Sequence, residues 1–294
     1  MSAEPRVGVS VVIPAYNEEG AIGAVVREVQ AVLGQLSCCR ASEVIVVSDG
    51  SKDLTAEEAR AAGARVVELA PNRGYGAALR RGFREARWEI IVMLDGDGTY
   101  PPSAIPRLIR GVLEGADQVI GARGASHHRA TPLRRLAKRA LTGFAAALVG
   151  HDIPDLNSGM RALRREFLHA VANFLPAGFS CSTTLTIAGT LGGWQVSWEP
   201  IEYYPRRGRS KFRPARDTLR LGLAIARAVV YSHPLKVFLP MAAVVVALGL
   251  AFAAYDTFAE HNLTDKTVLF LISGLQLFAL GLLADLLVRR GGSR

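Results

Sequence analysis

The sequence contains few cysteines and few aromatic residues. Only three of its 294 residues are cysteines, Cys38, Cys39 and Cys181, and aromatic residues make up 7%. An odd number of cysteines without metal-ligand spacing excludes a disulfide framework and a cysteine-bound metal site, and it is typical of a reducing compartment. No internal repeat or low-complexity tract is present either. These absences leave a globular fold, which a chain of this length can stabilise with its own hydrophobic core.

Acidic residues are missing from two strongly basic stretches. Residues 123–139 and 206–216 each hold six lysines and arginines and no acid. The net charge of the chain is +9, from 35 basic and 26 acidic residues. Without these twelve residues, 23 basic residues remain against 26 acidic ones, so the rest of the chain is slightly negative. The positive charge is therefore local, which favours an anionic lipid or a phosphorylated substrate as a partner over DNA, with a merely solvated basic face as the alternative. Few aromatic residues interleave the basic ones, so we expect no nucleic-acid partner.

Charged residues are also absent from two long apolar runs near the C-terminus. These runs are Val237–Tyr255, of nineteen residues, and Thr267–Ala284, of eighteen. At about 1.5 Å per helical residue, the first run covers about 28 Å, close to the thickness of the bilayer hydrocarbon. Buried helices of soluble proteins seldom extend this far without a charge. The sequence therefore predicts two transmembrane helices in a lipid bilayer.

The charges around these runs predict the orientation of the helices. The linker Asp256–Lys266 carries three acids and one lysine, whereas Lys236 precedes the first run and Arg289 and Arg290 follow the second. Because basic residues are retained on the cytoplasmic side, we expect both termini and the soluble domain to be cytoplasmic. Near the N-terminus, Val7–Ile13 is short for a signal peptide and is interpreted as a first strand.

Polar and small residues lie in the middle of the second run. Gln276 is close in sequence to Ser273, Gly274 and Gly281. Residues of these types join helices within a bilayer. The pattern fits packing between the two helices and contact within a homo-oligomer equally well.

From residue 7 to residue 122, short apolar runs alternate with helical stretches. The runs are nearly continuous in valine, isoleucine and leucine, as in strands covered on both faces. They are Val7–Ile13, Val44–Ser48, Arg65–Leu69, Ile90–Leu94 and Gln118–Gly121. This alternation predicts βαβ units and an α/β fold with a mainly parallel, Rossmann-like sheet.

The pattern is looser after residue 121. It predicts a basic helix from Thr131-Pro132, a polar loop Asp152–Gly159, a helix Arg165–Phe174 and a strand pair around Trp194–Tyr204. Residues 213–234 have apolar and basic residues on different sides of a helix, which suits either a juxtamembrane helix in the headgroup region or a core helix of the soluble domain.

An Asp-x-Asp motif follows directly after one of the apolar runs. Asp95 and Asp97 come at the end of a predicted strand, and ligands of open α/β sheets bind at that edge. Two carboxylates there repel each other unless a cation joins them, and Mg²⁺ or Mn²⁺ takes carboxylate together with diphosphate oxygens. A turn that caps the next helix is the alternative. Residues 14–18 and 48–51 end two other strands with polar or acidic groups, which capping alone does not explain.

Gly74-Tyr75-Gly76 partly matches a dinucleotide-binding fingerprint. However, Leu79 occupies the third glycine position, and the motif does not follow the first strand. We therefore do not expect an oxidoreductase.

Six motifs taken together resemble the family 2 inverting glycosyltransferases, and most closely the dolichol-phosphate mannose synthases and polyprenyl-phosphate glucosyltransferases. They occur in order over about residues 7–240: Ile13-Pro14-Ala15-Tyr16-Asn17-Glu18, Ser48-Asp49-Gly50-Ser51, Asn72-Arg73-Gly74-Tyr75-Gly76, Asp95-Gly96-Asp97, Asn157-Ser158-Gly159 and Arg206-Arg207-Gly208-Arg209-Ser210-Lys211. The set is far more specific than any one motif. It implies a GT-A fold. Together with the apolar and amphipathic patterns above, the sequence predicts a GT-A catalytic domain over residues 1–212, an amphipathic juxtamembrane helix over 213–234 and a two-helix membrane anchor over 235–294.

The resemblance also implies roles for individual residues. The donor nucleotide would be bound by Pro14, Tyr16, Asn17, Glu18, Asp49, Arg73, Gly74, Asp95 and Gly96. The metal would be held by Asp95 and Asp97, the acceptor phosphate by Arg123, Arg134, Arg135 and Ser158, and catalysis would rest on Asp97, Arg206, Ser210 and Lys211. One position departs from the pattern, because mannose synthases often carry a glutamine as metal ligand where this chain has Thr99.

The absence of a Glu-Asp dipeptide indicates which kind of acceptor the protein uses. Relatives that glycosylate sugar hydroxyls use a Glu-Asp pair as general base, and this sequence contains none. A polyprenyl phosphate, with a second pKa of about 6, is largely ionised at pH 7 and can attack without a base. The QxxRW signature of processive polymerases is also absent, which favours a single transfer.

The expected function is the transfer of one hexose from a nucleotide-diphosphate sugar to polyprenyl or dolichyl phosphate, with inversion, using Mg²⁺ or Mn²⁺. GDP-mannose, UDP-glucose and UDP-N-acetylglucosamine are the candidate donors. One alternative is transfer to another membrane lipid, such as diacylglycerol or ceramide, with Asp152 or Asp155 as the base. The other is a non-catalytic scaffold that binds sugar nucleotides at the membrane.

Overall fold

The computed structural model describes residues 6–124, 143, 152–172, 175–178, 180–205, 229–230, 234–260, 262 and 264–291. The chain divides into two compact units, Met1–Ile225 and Ala226–Arg294. The described part of the first unit is built around a seven-stranded sheet. The second unit contains two long apolar helices.

The strands of the sheet follow the apolar runs of the sequence closely. They are β1 (Val7–Ala15), β2 (Cys39–Asp49), β3 (Arg65–Leu69), β4 (Ile90–Met93), β5 (Gln118–Arg123), β6 (Arg161–Arg164) and β7 (Val196–Ile201). Their order across the sheet is β3-β2-β1-β4-β6-β5-β7. Every residue of β1 after Val7 is buried, as expected for a strand covered on both faces. The predicted α/β fold is confirmed.

Among the described strands, only β6 runs against its neighbours. β2 pairs in parallel with β1 and β3, β1 with β4, and β5 with β7, whereas β6 is antiparallel to both β4 and β5. The carboxyl ends of β1, β2, β4 and β5 therefore meet at one edge of the sheet. The amino end of β6 lies at the same edge, so the loop before β6 joins the loops that follow the parallel strands.

Helices pack on both faces of the sheet. The first face carries α1 (Ile22–Gly34), α2 (Thr55–Ala61) and α4 (Ile105–Leu113), and the second carries α3 (Tyr75–Glu85), α5 (Arg165–Val171) and α6 (Cys181–Leu191). Adjacent strand residues serve opposite faces: Val11 lies in the first core and Val12 in the second. The sheet is thus enclosed on both sides, and its carboxyl edge is left to the loops.

Two features after residue 121 differ from the prediction. The prediction of a strand pair around Trp194–Tyr204 is wrong. This region contains the single strand β7, which pairs in parallel with β5. The pairing partner is distant in sequence, so local alternation could not identify it. β6 was not predicted, because four residues with an arginine at each end do not form an apolar run. The predicted helix Arg165–Phe174 is present as α5.

Other predicted elements lie outside the described residues. These are the basic helix from Thr131-Pro132 and nearly all of the amphipathic helix 213–234. The domain boundary at residue 212 stays a prediction.

The second unit is a helical hairpin. Its helices are α7 (Leu235–Tyr255) and α8 (Asp265–Gly291), with a π-helical turn Asp256–Glu260 between them. Residues Leu235–Phe258 and Asp265–Val288 are long and apolar enough to cross a membrane. Asp256 is buried in the connection, where it accepts hydrogen bonds from Thr264 and Thr267.

Glycines bring α7 and α8 together. A Cβ on Gly274 would lie 2.5 Å from Val246, and one on Gly249 would lie 2.8 Å from Leu271. Side chains larger than hydrogen would therefore push the helices apart. Gln276, by contrast, is exposed on the surface of the hairpin. Of the small and polar residues in this run, Gly274 thus serves packing within the hairpin, and Gln276 does not.

Candidate active site

A cleft of about 450 Å³ opens at the carboxyl edge of the sheet. Nine residues that the sequence singled out line it: Pro14, Tyr16, Glu18, Asp49, Gly74, Asp95, Gly96, Asp97 and Arg123. They come from the ends of four strands and from the start of α3. The parallel arrangement of β1, β2, β4 and β5 is the reason that these distant segments meet.

The Asp-x-Asp segment leaves β4 and turns into the cleft. Asp97 is buried, and its Oδ1 accepts hydrogen bonds from Thr99 N–H at 3.1 Å and from Thr99 Oγ1 at 2.6 Å. Thr99 is fully buried and orients Asp97. The carboxylate therefore has a defined position before any ligand arrives.

Tyr75, the first residue of α3, holds the other aspartate. Its Oη donates a hydrogen bond of 2.8 Å to Asp95 Oδ1. Burial raises the pKa of Tyr75 well above its ordinary value, and the neighbouring carboxylate of Asp95 raises it further. The phenol is thus a permanent donor at neutral pH, which suits a residue that orients a carboxylate.

The carboxylate of Asp49, at the end of β2, binds backbone rather than side chains. Its Oδ1 accepts from Arg73 N–H at 2.8 Å, and its Oδ2 accepts from Gly74 N–H at 2.7 Å. The side chain of Asn72 donates to Asp49 O. These bonds fasten the start of α3 to the end of β2. They also leave Arg73 exposed and away from the wall of the cleft.

The glycines of the Gly74-Tyr75-Gly76 motif permit a close backbone contact. Gly74 has φ of +98°, and a Cβ on Gly76 would clash with Pro176 O. Ala77 N–H donates to Ala177 O at 3.1 Å. The motif therefore seats the loop around Pro176 against α3, and this accounts for its glycines without a dinucleotide.

The segment after β1 supports the rim of the cleft. Asn17 adopts φ of +51°, and its Oδ1 accepts from Lys52 N–H at 2.9 Å. Glu18 N–H donates to Thr55 Oγ1. Tyr16 and Glu18 line the cleft, but Asn17 does not; its described contacts tie the loops after β1 and β2 together.

Arg123 and Asp155 form a bidentate ion pair beside the cleft. Arg123 Nε lies 2.7 Å from Asp155 Oδ2, and Arg123 Nη2 lies 2.9 Å from Asp155 Oδ1. The guanidinium also donates to Asn157 O and lies over the ring of Tyr203, 5.3 Å from its centroid. The side chain of Asp155 is 1% exposed. Arg123 thus links the end of β5 to the loop before β6.

A second arginine supports the same loop from behind. Arg161, in β6, is fully buried; its Nε donates to Ser158 O at 3.0 Å and its Nη1 to Gln118 Oε1 at 2.9 Å. Burial lowers the pKa of Arg161 to about 10, so the side chain is still charged at neutral pH. Ser158 is itself fully buried and does not line the cleft.

Several lining residues were not assigned a role from the sequence. They are Asn72, Tyr75, Tyr100, Asn157 and Ser182. Tyr100 accepts a hydrogen bond of 2.7 Å from Gly159 N–H and contacts the ring of Tyr203 edge-on. Asn72, Tyr75 and Asn157 lie in motifs that carried the family resemblance, so the sequence did contain a signal for these three. Arg134, Arg135, Arg206, Ser210 and Lys211 lie outside the described residues.

The donor set fits a divalent cation that is shared with a ligand. Asp95 and Asp97 supply hard carboxylate oxygens in one cleft. Among the described residues, no cluster of three or more histidines, cysteines or acids could hold a metal alone. Mg²⁺ and Mn²⁺ are commonly bound by one or two carboxylates, with water and substrate phosphate completing the shell. The cleft suits that mode of binding and not an all-protein site.

Comparison with known proteins identifies the family. The family model described as glycosyl transferase family 2 matches residues 10–171, and that of the GtrB C-terminal hairpin matches residues 233–289. The chain belongs to glycosyl transferase family 2. The first match covers more than half of the chain and spans β1 to α5, so this glycosyltransferase carries the Asp-x-Asp segment within its family domain.

Two curated relatives cover most of this family 2 glycosyltransferase. A dolichyl-phosphate hexose transferase of Haloferax volcanii is 34% identical over 219 residues, covering 74% of this chain and 92% of the relative. An undecaprenyl-phosphate 4-deoxy-4-formamido-L-arabinose transferase of Pseudomonas paraeruginosa is 30% identical over 298 residues, covering 96% and 85%.

Among solved structures, a glucosyl-3-phosphoglycerate synthase of Mycobacterium tuberculosis has a similar fold. The TM-score is 0.63 at 24% identity, over 76% of this chain and 80% of that one. The same enzyme has also been solved with Mn²⁺, uridine diphosphate and phosphoglyceric acid, with a TM-score of 0.59 at 25% identity, over 76% and 78% of the two chains. The predicted GT-A fold is confirmed.

Proposed function

We propose that this glycosyltransferase moves a single hexose from a nucleotide-diphosphate sugar to polyprenyl or dolichyl phosphate, with inversion at the anomeric carbon. The observation that carries the proposal is the cleft that joins Asp95 and Asp97 with Arg123. The acidic groups suit a metal-bound diphosphate, and the basic group suits an anionic acceptor. The two curated relatives act on dolichyl and undecaprenyl phosphate by name, which supports the same acceptor class.

The donor side of the proposal rests on the acidic wall. Asp95 and Asp97 would hold Mg²⁺ or Mn²⁺, which stabilises charge on the departing nucleoside diphosphate when bound. Tyr75 and Thr99 orient these carboxylates, so they need little rearrangement when the donor binds. We assign Pro14, Tyr16, Asn17, Glu18, Asp49, Arg73, Gly74 and Gly96 to the nucleotide, with Asn17 and Arg73 supporting from outside the wall.

The acceptor side needs charge neutralisation more than a base. A polyprenyl phosphate, with a second pKa of about 6, is largely ionised at neutral pH. We assign Arg123 and Ser158 to the acceptor side: Arg123 lines the cleft, and Ser158 orders the loop next to it. Arg134, Arg135, Arg206, Ser210 and Lys211 complete the proposed basic surface, with Arg206, Ser210 and Lys211 serving catalysis.

A hydroxyl acceptor is disfavoured by the position of the available acids. Both carboxylate oxygens of Asp155 accept hydrogen bonds from the Arg123 fork, and Asp155 does not line the cleft. Asp152 is exposed and does not line the cleft. Transfer to diacylglycerol or ceramide would require one of them to remove a proton.

We place the reaction at the cytoplasmic face of a membrane. Two helices of suitable length and hydropathy support the membrane anchor. A polyprenyl chain is insoluble in water, so an enzyme that uses it benefits from being held at the bilayer surface.

The test incubates the full-length protein in detergent with polyprenyl phosphate, Mg²⁺ or Mn²⁺, and labelled GDP-mannose, UDP-glucose or UDP-N-acetylglucosamine in turn. Label should enter the organic phase from one donor and disappear with EDTA. Asp97→Ala should abolish transfer, whereas Glu114→Ala, an exposed acid on the first unit, should not.

Three results would contradict the proposal. In a parallel incubation with diacylglycerol or ceramide in place of polyprenyl phosphate, label transferred only to these lipids would indicate a hydroxyl acceptor. Nucleotide binding without product from any donor would indicate a scaffold. Full activity of Asp97→Ala would remove the proposed metal site.

A further inference from the structure

A second cavity lies between α3 and α5, on the face of the sheet opposite to α1. Its volume is about 150 Å³, and it shares no lining residue with the cleft at the carboxyl edge. Arg80 and Arg84 of α3 line one side, and Arg165 and His169 of α5 line the other. Three arginines therefore line this cavity, and no acidic residue lines it with them among the described residues.

One of these arginines has an unsatisfied buried group. Arg80 Nε is buried and has no hydrogen-bond partner among the described residues. A buried donor without an acceptor destabilises a protein, because the group loses its bonds to water and gains none in return. Arg80 thus keeps a hydrogen-bonding capacity that no described residue uses.

A second arginine is fixed in position beside it. Arg165 Nε donates to Trp88 O at 3.1 Å, and Arg165 Nη2 donates to Ala86 O at 2.9 Å. These carbonyls hold the guanidinium without neutralising its charge, and Nη1 takes no part in the bonds. A guanidinium that is already held in place loses little conformational entropy on binding an oxyanion.

The rest of the wall is apolar. Phe83, Ile91, Leu168, Ala172 and Leu175 complete the lining. A phosphate group fits a volume of this size, and the apolar wall offers room for a short hydrocarbon substituent. The combination of convergent arginines and an apolar wall matches a phosphate ester better than a simple inorganic anion.

We propose that this cavity is a second, non-catalytic site for a phosphate-bearing ligand, either a soluble phosphate ester or the phosphate of an anionic lipid headgroup. The site is separate from the cleft and does not depend on the proposed function. Arg84 and His169 are exposed and would meet the ligand first, while Arg80 and Arg165 would bind the phosphate more deeply.

The test measures binding to the full-length protein in detergent by calorimetry, in EDTA so that no metal supports phosphate binding in the acidic cleft. The probes are inorganic phosphate, phenyl phosphate, and dihexanoyl-phosphatidylglycerol below its micelle-forming concentration, with dihexanoyl-phosphatidylcholine as the zwitterionic control. Arg84→Glu should weaken binding about tenfold or more, since it replaces an attractive charge with a repulsive one. Arg110→Glu is the matched control, because Arg110 is also an exposed arginine in the last turn of a helix and lies outside the cavity.

The probes distinguish the sources. Saturable binding of phenyl phosphate that is lost in Arg84→Glu supports a soluble ester, and the same behaviour with the phosphatidylglycerol alone supports a lipid headgroup. Binding of inorganic phosphate alone with the same loss supports a smaller anion in the same site and overturns the ester assignment. No binding of any probe, or equal weakening by Arg84→Glu and Arg110→Glu, overturns the proposal.

Discussion

Tyr75 and Asp95 are joined by a hydrogen bond of 2.8 Å between the phenol oxygen and Asp95 Oδ1. The two residues are twenty positions apart and come from the start of α3 and the end of β4. The bond connects the glycine motif that follows β3 to the Asp-x-Asp motif that follows β4. Two motifs that are separate in the sequence therefore form one unit in the cleft.

Replacing Tyr75 with phenylalanine should lower turnover without unfolding the protein. The change removes only the donor to Asp95, and a hydrogen bond to a charged group contributes about 2 kcal/mol, which corresponds to a loss in kcat/KM of about thirtyfold. Steady-state transfer assays measure it. Tyr204→Phe is the control, since Tyr204 is 44% exposed and its phenol contacts Glu202. Equal activity of Tyr75→Phe and the wild type would contradict an orienting role.

Replacing Thr99 with valine should lower the affinity for the metal rather than abolish activity. Valine keeps the shape of the buried side chain but removes the 2.6 Å bond from Oγ1 to Asp97. Loss of a group that orients a metal ligand typically weakens metal affinity about tenfold or more. The Mn²⁺ concentration that gives half-maximal activity should rise, and activity should recover when Mn²⁺ is saturating. Asp97→Ala should not recover at any concentration, and an unchanged Mn²⁺ curve for Thr99→Val would count against the arrangement.

Replacing Gly159 with alanine should displace Asp95. The new Cβ would lie 2.7 Å from Asp95 Oδ2, closer than real contacts allow, and the carboxylate would have to move. We expect transfer to fall at least about a hundredfold, because a displacement near 1 Å in an active site has this effect. Gly34→Ala, where a Cβ would meet nothing within 4 Å, should leave activity unchanged. Near-normal transfer by Gly159→Ala would contradict the role of Asp95.

Removing one partner of the Arg123–Asp155 pair should destabilise the first unit. Asp155→Ala leaves a guanidinium that is mostly buried without its counter-ion, and breaking such a pair costs about 3 kcal/mol or more. Denaturant unfolding of the full-length protein in detergent measures the change. The double variant Arg123→Met/Asp155→Leu should recover most of the loss. If Asp155→Ala is as stable as the wild type, the pair is not structural.

The buried thiol should be chemically inert in the folded protein. Burial raises the pKa of Cys181 to about 12, from an ordinary value of 9.0. Iodoacetamide at pH 8 should therefore modify Cys38 and spare Cys181 until the protein unfolds. Because the folded pKa is raised, the stabilisation due to this thiol is present below about pH 9 and is lost as the pH rises toward 12. Peptide mass spectrometry after native labelling checks the prediction, and early labelling of Cys181 would contradict its burial.

Much of the fold could be predicted from local sequence pattern. Strands such as Ile90–Met93 are short apolar runs, and α-helical stretches separate them, so type and order follow from short windows. The two long helices follow from runs of eighteen or more residues without charge. Asp95 and Asp97 could be assigned to one edge because the carboxyl ends of parallel strands lie together. These inferences need only neighbours in the sequence and one rule of topology.

The tertiary structure decided what depends on contacts between distant residues. β6 is too short and too polar to be recognised locally, and its antiparallel pairing brings the loop Asp155–Gly159 to the cleft. Arg123 and Asp155, thirty-two positions apart, form a bidentate ion pair, which the sequence did not predict for either residue. Such pairings depend on strand order and side-chain packing, which involve segments that are far apart in the sequence. The sequence by itself therefore determined the fold class, the acidic edge and the apolar hairpin helices, whereas only the folded chain decided which groups hold that edge in place.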